Sequence, residues 1–157
     1  MSVEQVKSFL AERAPEIKVT ELAESTATVA DAALAFGVEP GQIAKTLSVH
    51  LEQGVALIVM AGDAKIHNGK FKRLFGLKPR MLKGEEVEPL TGFFPGGVCP
   101  FTTQAGVAVF CDESLKAYDI VLPAGGNANS GVKISPKRLA EICTAEWVDV
   151  AKEPVEA

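Results

Sequence analysis

Ile43-Ala44-Lys45-Thr46-Leu47-Ser48-Val49-His50-Leu51 reads with period two. Successive side chains of a strand point to opposite faces. One face then carries Ile43, Lys45, Leu47, Val49 and Leu51; the other carries Ala44, Thr46, Ser48 and His50. Lys45 falls on the apolar face, where desolvation disfavours an ammonium. Two readings follow. In one, the strand begins here and the long Lys45 stem snorkels to water. In the other, Lys45 projects into a cleft and meets an anion or a reacting carbonyl.

Working outward, Glu52-Gln53-Gly54 is a short hairpin turn, and Val55 to Ala61 is an unbroken apolar run suited to a strand covered on both faces. That run is too short to cross a bilayer. On the N-terminal side, Thr28 caps a helix with Asp31 in its first turn and Val29, Ala32, Ala33 and Phe36 inward. Gly37 closes it, and Val38 to Gln42 turns the chain into the Lys45 strand. Ser2 and Gln5 form a capping box for a first helix with Val6, Phe9 and Leu10 inward, ending before Pro15. Lys18 to Leu22 alternates weakly, as an edge strand would.

On the C-terminal side, Asn68 is expected to cap a short helix with Phe71, Leu74 and Phe75 inward, closed by Gly76. Pro79 to Leu82 is a candidate short strand, and Glu85-Glu86-Val87 opens a helix ending between Pro89 and Gly92. Strands are predicted at Val107–Cys111, Ile120–Pro123, Val132–Ile134 and Trp147–Val150, with a helical turn over Ser114–Tyr118. Ser135-Pro136 starts a last helix through Ile142. The tail beyond Lys152 is expected to fray. With no repeat and no linker, residues 1–157 read as a single α+β domain around a mixed or antiparallel sheet.

At 157 residues, 47% hydrophobic and 23% charged, the chain can bury a real core. No signal pattern or membrane-length apolar run is present. Three cysteines without CxxC spacing argue against a disulfide framework or a zinc site, and point to a reducing, cytoplasmic setting. The two histidines lack ligand spacing, and neither GxxxxGK[ST] nor GxGxxG occurs. The net charge is −4, yet no acid lies between Ala64 and Gly84. That stretch holds Lys65, Lys70, Lys72, Arg73, Lys78, Arg80 and Lys83. It is either a solvated basic face or a phosphate-binding patch, with Lys70, Lys72 and Arg73 standing outward on one helix.

Phe93 to Phe101 has loop composition but three phenylalanines, so it is expected to fold over a pocket. Gly96-Gly97 lets the backbone approach a ligand and present N–H groups. Ala124 to Gly131 is a second Gly-rich loop, longer than a minimal hairpin needs, with Asn129 and Ser130 as added donors and acceptors. Cys99 would need a lowered pKa and a base to act as nucleophile, and nothing in the sequence brings either histidine to it. A small packed cysteine is the expectation.

Ala44-Lys45-Thr46-Leu47 after Gly37-Val38-Glu39-Pro40, then Gly62-Asp63, then Gly96-Gly97-Val98-Cys99-Pro100-Phe101, then Gly125-Gly126 with Gly131, resembles the YbaK/ProX/EbsC family. That family is related to the editing insertion domain of bacterial prolyl-tRNA synthetase. The likeness spans nearly the whole chain in order. It implies a curved, barrel-like mixed sheet with flanking helices. It also implies hydrolysis of mischarged aminoacyl-tRNA in trans, tRNA(Pro)-type substrates foremost, with no metal or organic cofactor. The implied partners are the aminoacyl-tRNA acceptor end and, as a candidate, prolyl-tRNA synthetase. No membrane partner is implied.

Position by position, Lys45 corresponds to the family's essential lysine and Thr46 to its pocket neighbour. Gly96, Gly97 and Pro100 correspond to the loop near the aminoacyl group. Gly125, Gly126 and Ser130 fall where a second Gly-rich loop lines the site. Cys99 stands where many relatives have serine, which speaks against a role for its side chain. An aminoacyl ester is already activated, so such a site must position water or a substrate group and stabilise an oxyanion. Backbone N–H groups of the Gly-Gly pairs suit the second task. Lys45 suits anchoring the 3′-terminal phosphate or ribose, or polarising the ester. Lys70, Lys72 and Arg73 suit holding the acceptor stem without reading sequence. Two alternatives stand beside this. A tRNA- or protein-binding module that kept the fold without hydrolysis would need the basic block but not Lys45. A Cys99-dependent hydrolase would need the thiol.

Overall fold

A computed structural model describes residues 3–152. Helix α1 (Val3–Arg13) turns Val6 and Leu10 into the core and stops before Pro15. The Ser2 cap expected for it lies outside the described residues. Strand β1 (Val19–Glu21) follows, then α2 (Val29–Phe36). Thr28 caps α2 by accepting from Asp31 N–H, and Gly37 closes it in the left-handed region at φ 68°. A 3-10 turn, Pro40–Gln42, delivers the chain to β2 (Ile43–His50). Strand β3 (Val55–Ala61) returns antiparallel, pairing Lys45 with Met60 and Leu47 with Ile58.

All seven residues of β3 are buried. Each large one contributes roughly 1.5–3 kcal/mol by leaving water. The reason is coverage of both sheet faces. Ala44 and Val59 join the cluster built with Phe93, Cys99, Phe101 and Leu139. Val49, Ala56, Ile58 and Met60 join Phe71 and Val150. The sheet order is β5-β2-β3-β4-β7, with β4 (Ala108–Asp112), β5 (Leu122–Pro123) and β7 (Glu146–Val148). β2–β3 is antiparallel and the other three pairings are parallel. A separate ribbon pairs β1 with β6 (Ser130–Val132). An isolated Val121–Ile134 bridge joins strand ends of the two sheets. The α+β, mixed-sheet expectation therefore holds, and the strand order is open.

Helices α3 (Asn68–Phe75), α4 (Gly84–Thr91) and α5 (Pro136–Cys143) complete the fold. Ser135 and Pro136 start α5 as predicted, Ser135 accepting from Arg138 N–H. Several local expectations fail. The cap of α3 is His67, whose Nδ1 accepts from Lys70 N–H at 3.1 Å; Asn68 is already the first helical residue. Leu74 is half-exposed, because only Phe71 is fully buried on that short helix. α4 runs to Thr91 and is closed by Gly92, within the expected Pro89–Gly92. β6 begins at Ser130, two residues before the predicted strand, because β1 draws Ser130 and Gly131 into register. The tail expected to fray, residues 153–157, lies outside the described residues.

One feature of β2 positions the site. On the edge away from β3, Ile43 and Ala44 pair with β5. Further along, Val49 bridges Met81, His50 N–H donates to Arg80 O and Leu82 N–H donates to Ser48 O. Between these two pairings no strand runs beside Lys45, Thr46 and Leu47 among the described residues.

Candidate functional site

A cavity of about 160 Å³ opens at this gap. Its floor is the start of β2, through Ile43, Ala44, Lys45 and Thr46. The inner side of α2 forms one wall, with Val29, Ala32 and Phe36. The first Gly-rich loop contributes Gly96 and Val98, and the second contributes Ala124 and Ser130. The walls are mostly apolar, and four hydroxyls (Thr26, Thr28, Thr46 and Ser130) interrupt them.

Three of those hydroxyls already serve the fold. Thr26 Oγ1 donates to Ser130 O and accepts from Ser130 N–H. Thr28 Oγ1 caps α2. Ser130 Oγ accepts from Gly125 N–H at 3.1 Å. Thr46 Oγ1 differs: it is buried with no hydrogen-bond partner among the described residues. A buried hydroxyl without a partner is costly, which makes it a candidate contact for a bound polar group.

Lys45 lines the cavity. It is half-buried, and its ammonium is captured by backbone. Nζ donates to Gly62 O at 3.2 Å and to Ala64 O, both in the turn after β3. An ammonium has three donors. Among the described residues the third has no acceptor. Burial pulls the Lys45 ammonium below the usual lysine range; Asp63 opposes that shift and Lys65 adds to it.

The Gly-Gly pairs divide. Gly96, at φ 89°, is on the cavity wall. Gly97 is buried behind it, and its N–H donates to Phe94 O at 3.0 Å. A Cβ on Gly97 would lie 2.8 Å from Asn127 Cα, so its missing side chain lets the two loops pack backbone to backbone. Gly125 is buried with its N–H on Ser130 Oγ. Gly126 and Pro100 are also buried, and neither lines the cavity. The aromatic loop does fold over a pocket, but unevenly. Phe93 and Phe101 enter the core, while Phe94 is 70% exposed.

Cys99 is fully buried, with Sγ 3.8 Å from Phe101 O, and burial pushes its thiol up to about 12. A thiolate nucleophile needs the opposite environment. Both histidines are occupied elsewhere: His50 Nε2 lies 3.3 Å from Glu86 Oε1, and His67 caps α3. No group of three or more His, Cys, Asp or Glu residues that could hold a metal occurs among the described residues. Nor is any helix among them long and apolar enough to cross a membrane.

The basic trio does not stay together. Lys72 and Arg73 are exposed. Lys70, expected outward, turns in: Nζ donates to Asp149 Oδ1 and Ala151 O, each at 3.0 Å. The cause is the segment after β7, which runs beside the start of α3 and offers both acceptors. Lys70 and Arg73 border a second, larger groove with Phe75, Phe110 and Trp147. No residue lines both cavities.

The sequence reading missed Thr26, Val29, Ala32, Phe36 and Ala124 as site residues. The inner side of α2 looked like ordinary core. The available signal was the small size of Ala32 and Ala33 within that side, which leaves room unfilled.

Comparison with known proteins places this geometry. Residues 23–142 match the family model described as the aminoacyl-tRNA editing domain. The chain is 44% identical over 155 residues to "Uncharacterized protein YwhH" of Bacillus subtilis, covering 98% of this chain and 99% of that one. It is 22% identical over 117 residues to "Putative Cys-tRNA(Pro)/Cys-tRNA(Cys) deacylase EbsC" of Enterococcus faecalis, covering 73% and 71%. A solved structure described as "a putative trans-editing enzyme for prolyl tRNA synthetase" superposes with a TM-score of 0.87 at 36% identity, covering 96% of this chain and 97% of that one.

Proposed function

Because this chain belongs to the aminoacyl-tRNA editing domain family, we propose that it is an ester hydrolase acting in trans to release misattached amino acids from tRNA, tRNA(Pro) foremost. The observation that carries this is the cavity on the β2 edge away from β3, where Lys45 and Thr46 meet both Gly-rich loops. The relatives that this chain covers almost end to end support action as a separate protein. The acceptor end of aminoacyl-tRNA is the ligand in this reading, prolyl-tRNA synthetase is a candidate partner, and the cytoplasm is the setting.

The geometry supports these roles in that reading. The free Lys45 N–H meets the ester or the adjoining ribose and phosphate, and Thr46 Oγ1 hydrogen-bonds the aminoacyl group. Gly96 borders the reacting carbonyl. Ser130 lines the cavity with Ala124, and Gly97, Pro100, Gly125 and Gly126 set the spacing of the two loops from behind. Oriented donors in a site of low polarity stabilise the developing oxyanion without reorganising. The cavity, at about 160 Å³, is close to the ~150 Å³ that holds a benzene-sized group. It therefore admits small aminoacyl groups and rejects large ones by exclusion, the better way for an apolar pocket to discriminate.

A deacylation panel tests this reading. Cys-tRNA(Pro), Ala-tRNA(Pro) and a bulky misacylated tRNA(Pro) are incubated with the protein. The small esters are expected to be hydrolysed and the bulky one spared. Hydrolysis of none above the spontaneous rate overturns the enzyme. Retained tRNA binding would then leave a binding module.

Binding and chemistry separate on α3. Lys72 and Arg73 are exposed and border no part of the Lys45 cavity. Replacing both by Ala should weaken binding of different tRNAs alike. The slope of log affinity against log salt should become shallower by up to about 0.9 per lost duplex phosphate contact. The saturated rate should hold, since neither group reaches the ester. An unchanged slope, measured by filter binding from low to high salt, would make the pair a solvated surface only.

A further inference from the structure

The turn that seats the Lys45 ammonium is itself clamped. Ala64 N–H closes it on Ala61 O at 3.0 Å, and Ala61 N–H donates to Ser114 Oγ at 3.1 Å. Gly62 has no room for a side chain. A Cβ there would overlap the Pro40 carbonyl oxygen and lie 2.8 Å from Val29 Cγ1 and 3.0 Å from Ile43 O. The 3-10 turn before β2 is thus pressed directly onto the turn after β3. Gly41, in that 3-10 turn, is filled from the other side. A Cβ on it would overlap Tyr118 Oη and lie 3.0 Å from Asp63 Oδ2. The carboxylate of the turn after β3 and a phenol from one further segment therefore converge on Gly41.

We propose that Gly62, Asp63 and Tyr118, packed on Pro40 and Gly41, form a clamp that aims the Lys45 ammonium at the substrate. They are positioning residues, and the inference rests on the deacylase reading above. A lysine stem is flexible, and its ammonium needs fixed acceptors to hold one direction. The Gly62 and Ala64 carbonyls provide them, on either side of Asp63 in the chain. Fixing two protons there orients the third. The charged groups acting on the ammonium are Asp63, which favours it, and Lys65, which disfavours it. Asp63 is exposed, and Tyr118 lies in the field of both Asp63 and Glu39. Burial pushes the Tyr118 phenol up, and Asp63 and Glu39 push it further.

Asp63→Asn and Gly62→Ala in the full chain test the clamp by two readouts. The first needs no turnover. Lysines are reductively methylated with 13C-formaldehyde, and the Lys45 signal is identified by its absence in Lys45→Arg. In Asp63→Asn, Lys45 is expected to titrate at lower pH than in the wild type, because a favouring charge is gone. The second is the pH–rate profile of deacylation. Its alkaline limb should move down in the same variant, with kcat reduced about tenfold and KM little changed. Asp63→Glu should recover part of both. Gly62→Ala should lower kcat likewise; if it does not fold, the near-isosteric Asp63→Asn still decides. An unmoved Lys45 titration with kcat within about twofold of wild type overturns the clamp. Should the wild-type protein hydrolyse no aminoacyl ester, the deacylase reading fails separately. The Lys45 titration in Gly62→Ala, or in Tyr118→Phe if that variant does not fold, then judges the clamp by itself, because neither change removes a charge beside the ammonium: a shift supports the clamp and no shift overturns it.

Discussion

Lys45→Ala is expected to lower kcat for deacylation by about 10²–10³-fold, the usual effect of removing one donor aimed at a developing oxyanion. The fold should survive. The side chain is half-buried and, among the described residues, makes hydrogen bonds only to the Gly62 and Ala64 carbonyls. Its ammonium is disfavoured there by burial, so removing it also relieves a desolvated charge. The net stability change should stay near 1 kcal/mol, about 2–4 °C in Tm for a chain of this size. Lys45→Arg should not restore activity, because a planar guanidinium does not fit two carbonyls arranged for an ammonium. Single-turnover rates and thermal melts, taken on the same preparations, decide this. A folded Lys45→Ala with normal turnover removes Lys45 from the chemistry. Collapse of the fold would make it structural.

The second large effect is expected from the smallest change, Gly97→Ala. The new methyl carbon would lie 2.8 Å from Asn127 Cα and 3.1 Å from Asn127 C and N. All three neighbours are backbone, so no side-chain rotation relieves the overlap, and the two Gly-rich loops must separate. Overpacking of this kind costs about 1–3 kcal/mol. The functional loss should be larger. Gly96 and Val98 on one loop, and Ala124 and Ser130 on the other, share the cavity wall. A displacement near 1 Å in such a site can cost about 10²-fold in rate. Gly96→Ala is the informative partner. Its Cβ would meet Ala27 Cβ at 3.2 Å, an exposed side chain, but would carry the strain of a positive φ. Gly97→Ala should therefore lose both melting temperature and kcat. Wild-type kcat/KM in Gly97→Ala would show that loop separation does not set the site.

Much of this molecule was legible in the chain because the determining interactions are short in sequence. The period of β2, the hairpin at Gly54 and the apolar β3 are local patterns. So are the Thr28–Asp31 cap, the left-handed Gly37 and the Ser135-Pro136 start of α5. Backbone dihedral preference and nearest-neighbour hydrogen bonds decide such features, and residues two to four apart carry them. Family likeness added Lys45, Thr46 and the two Gly-rich loops, again as ordered local motifs.

Tertiary structure alone decided what those motifs do. Lys70 looked like a free cation on a helix until Asp149, 79 residues away, and Ala151 O arrived beside it. α2 looked like a core helix until the β2 edge away from β3 was left without a strand beside Lys45 to Leu47, which made its inner side a cavity wall. Gly97 looked like an N–H donor for a ligand, but Phe94 O and the Asn127 backbone claim it. The direction of the Lys45 ammonium depends on carbonyls 17 and 19 residues away, held in place by Pro40, Gly41 and Tyr118. A strand's period states which face a side chain takes. Which acceptors wait on that face is set by segments that meet only when the chain has folded, and no local preference encodes them.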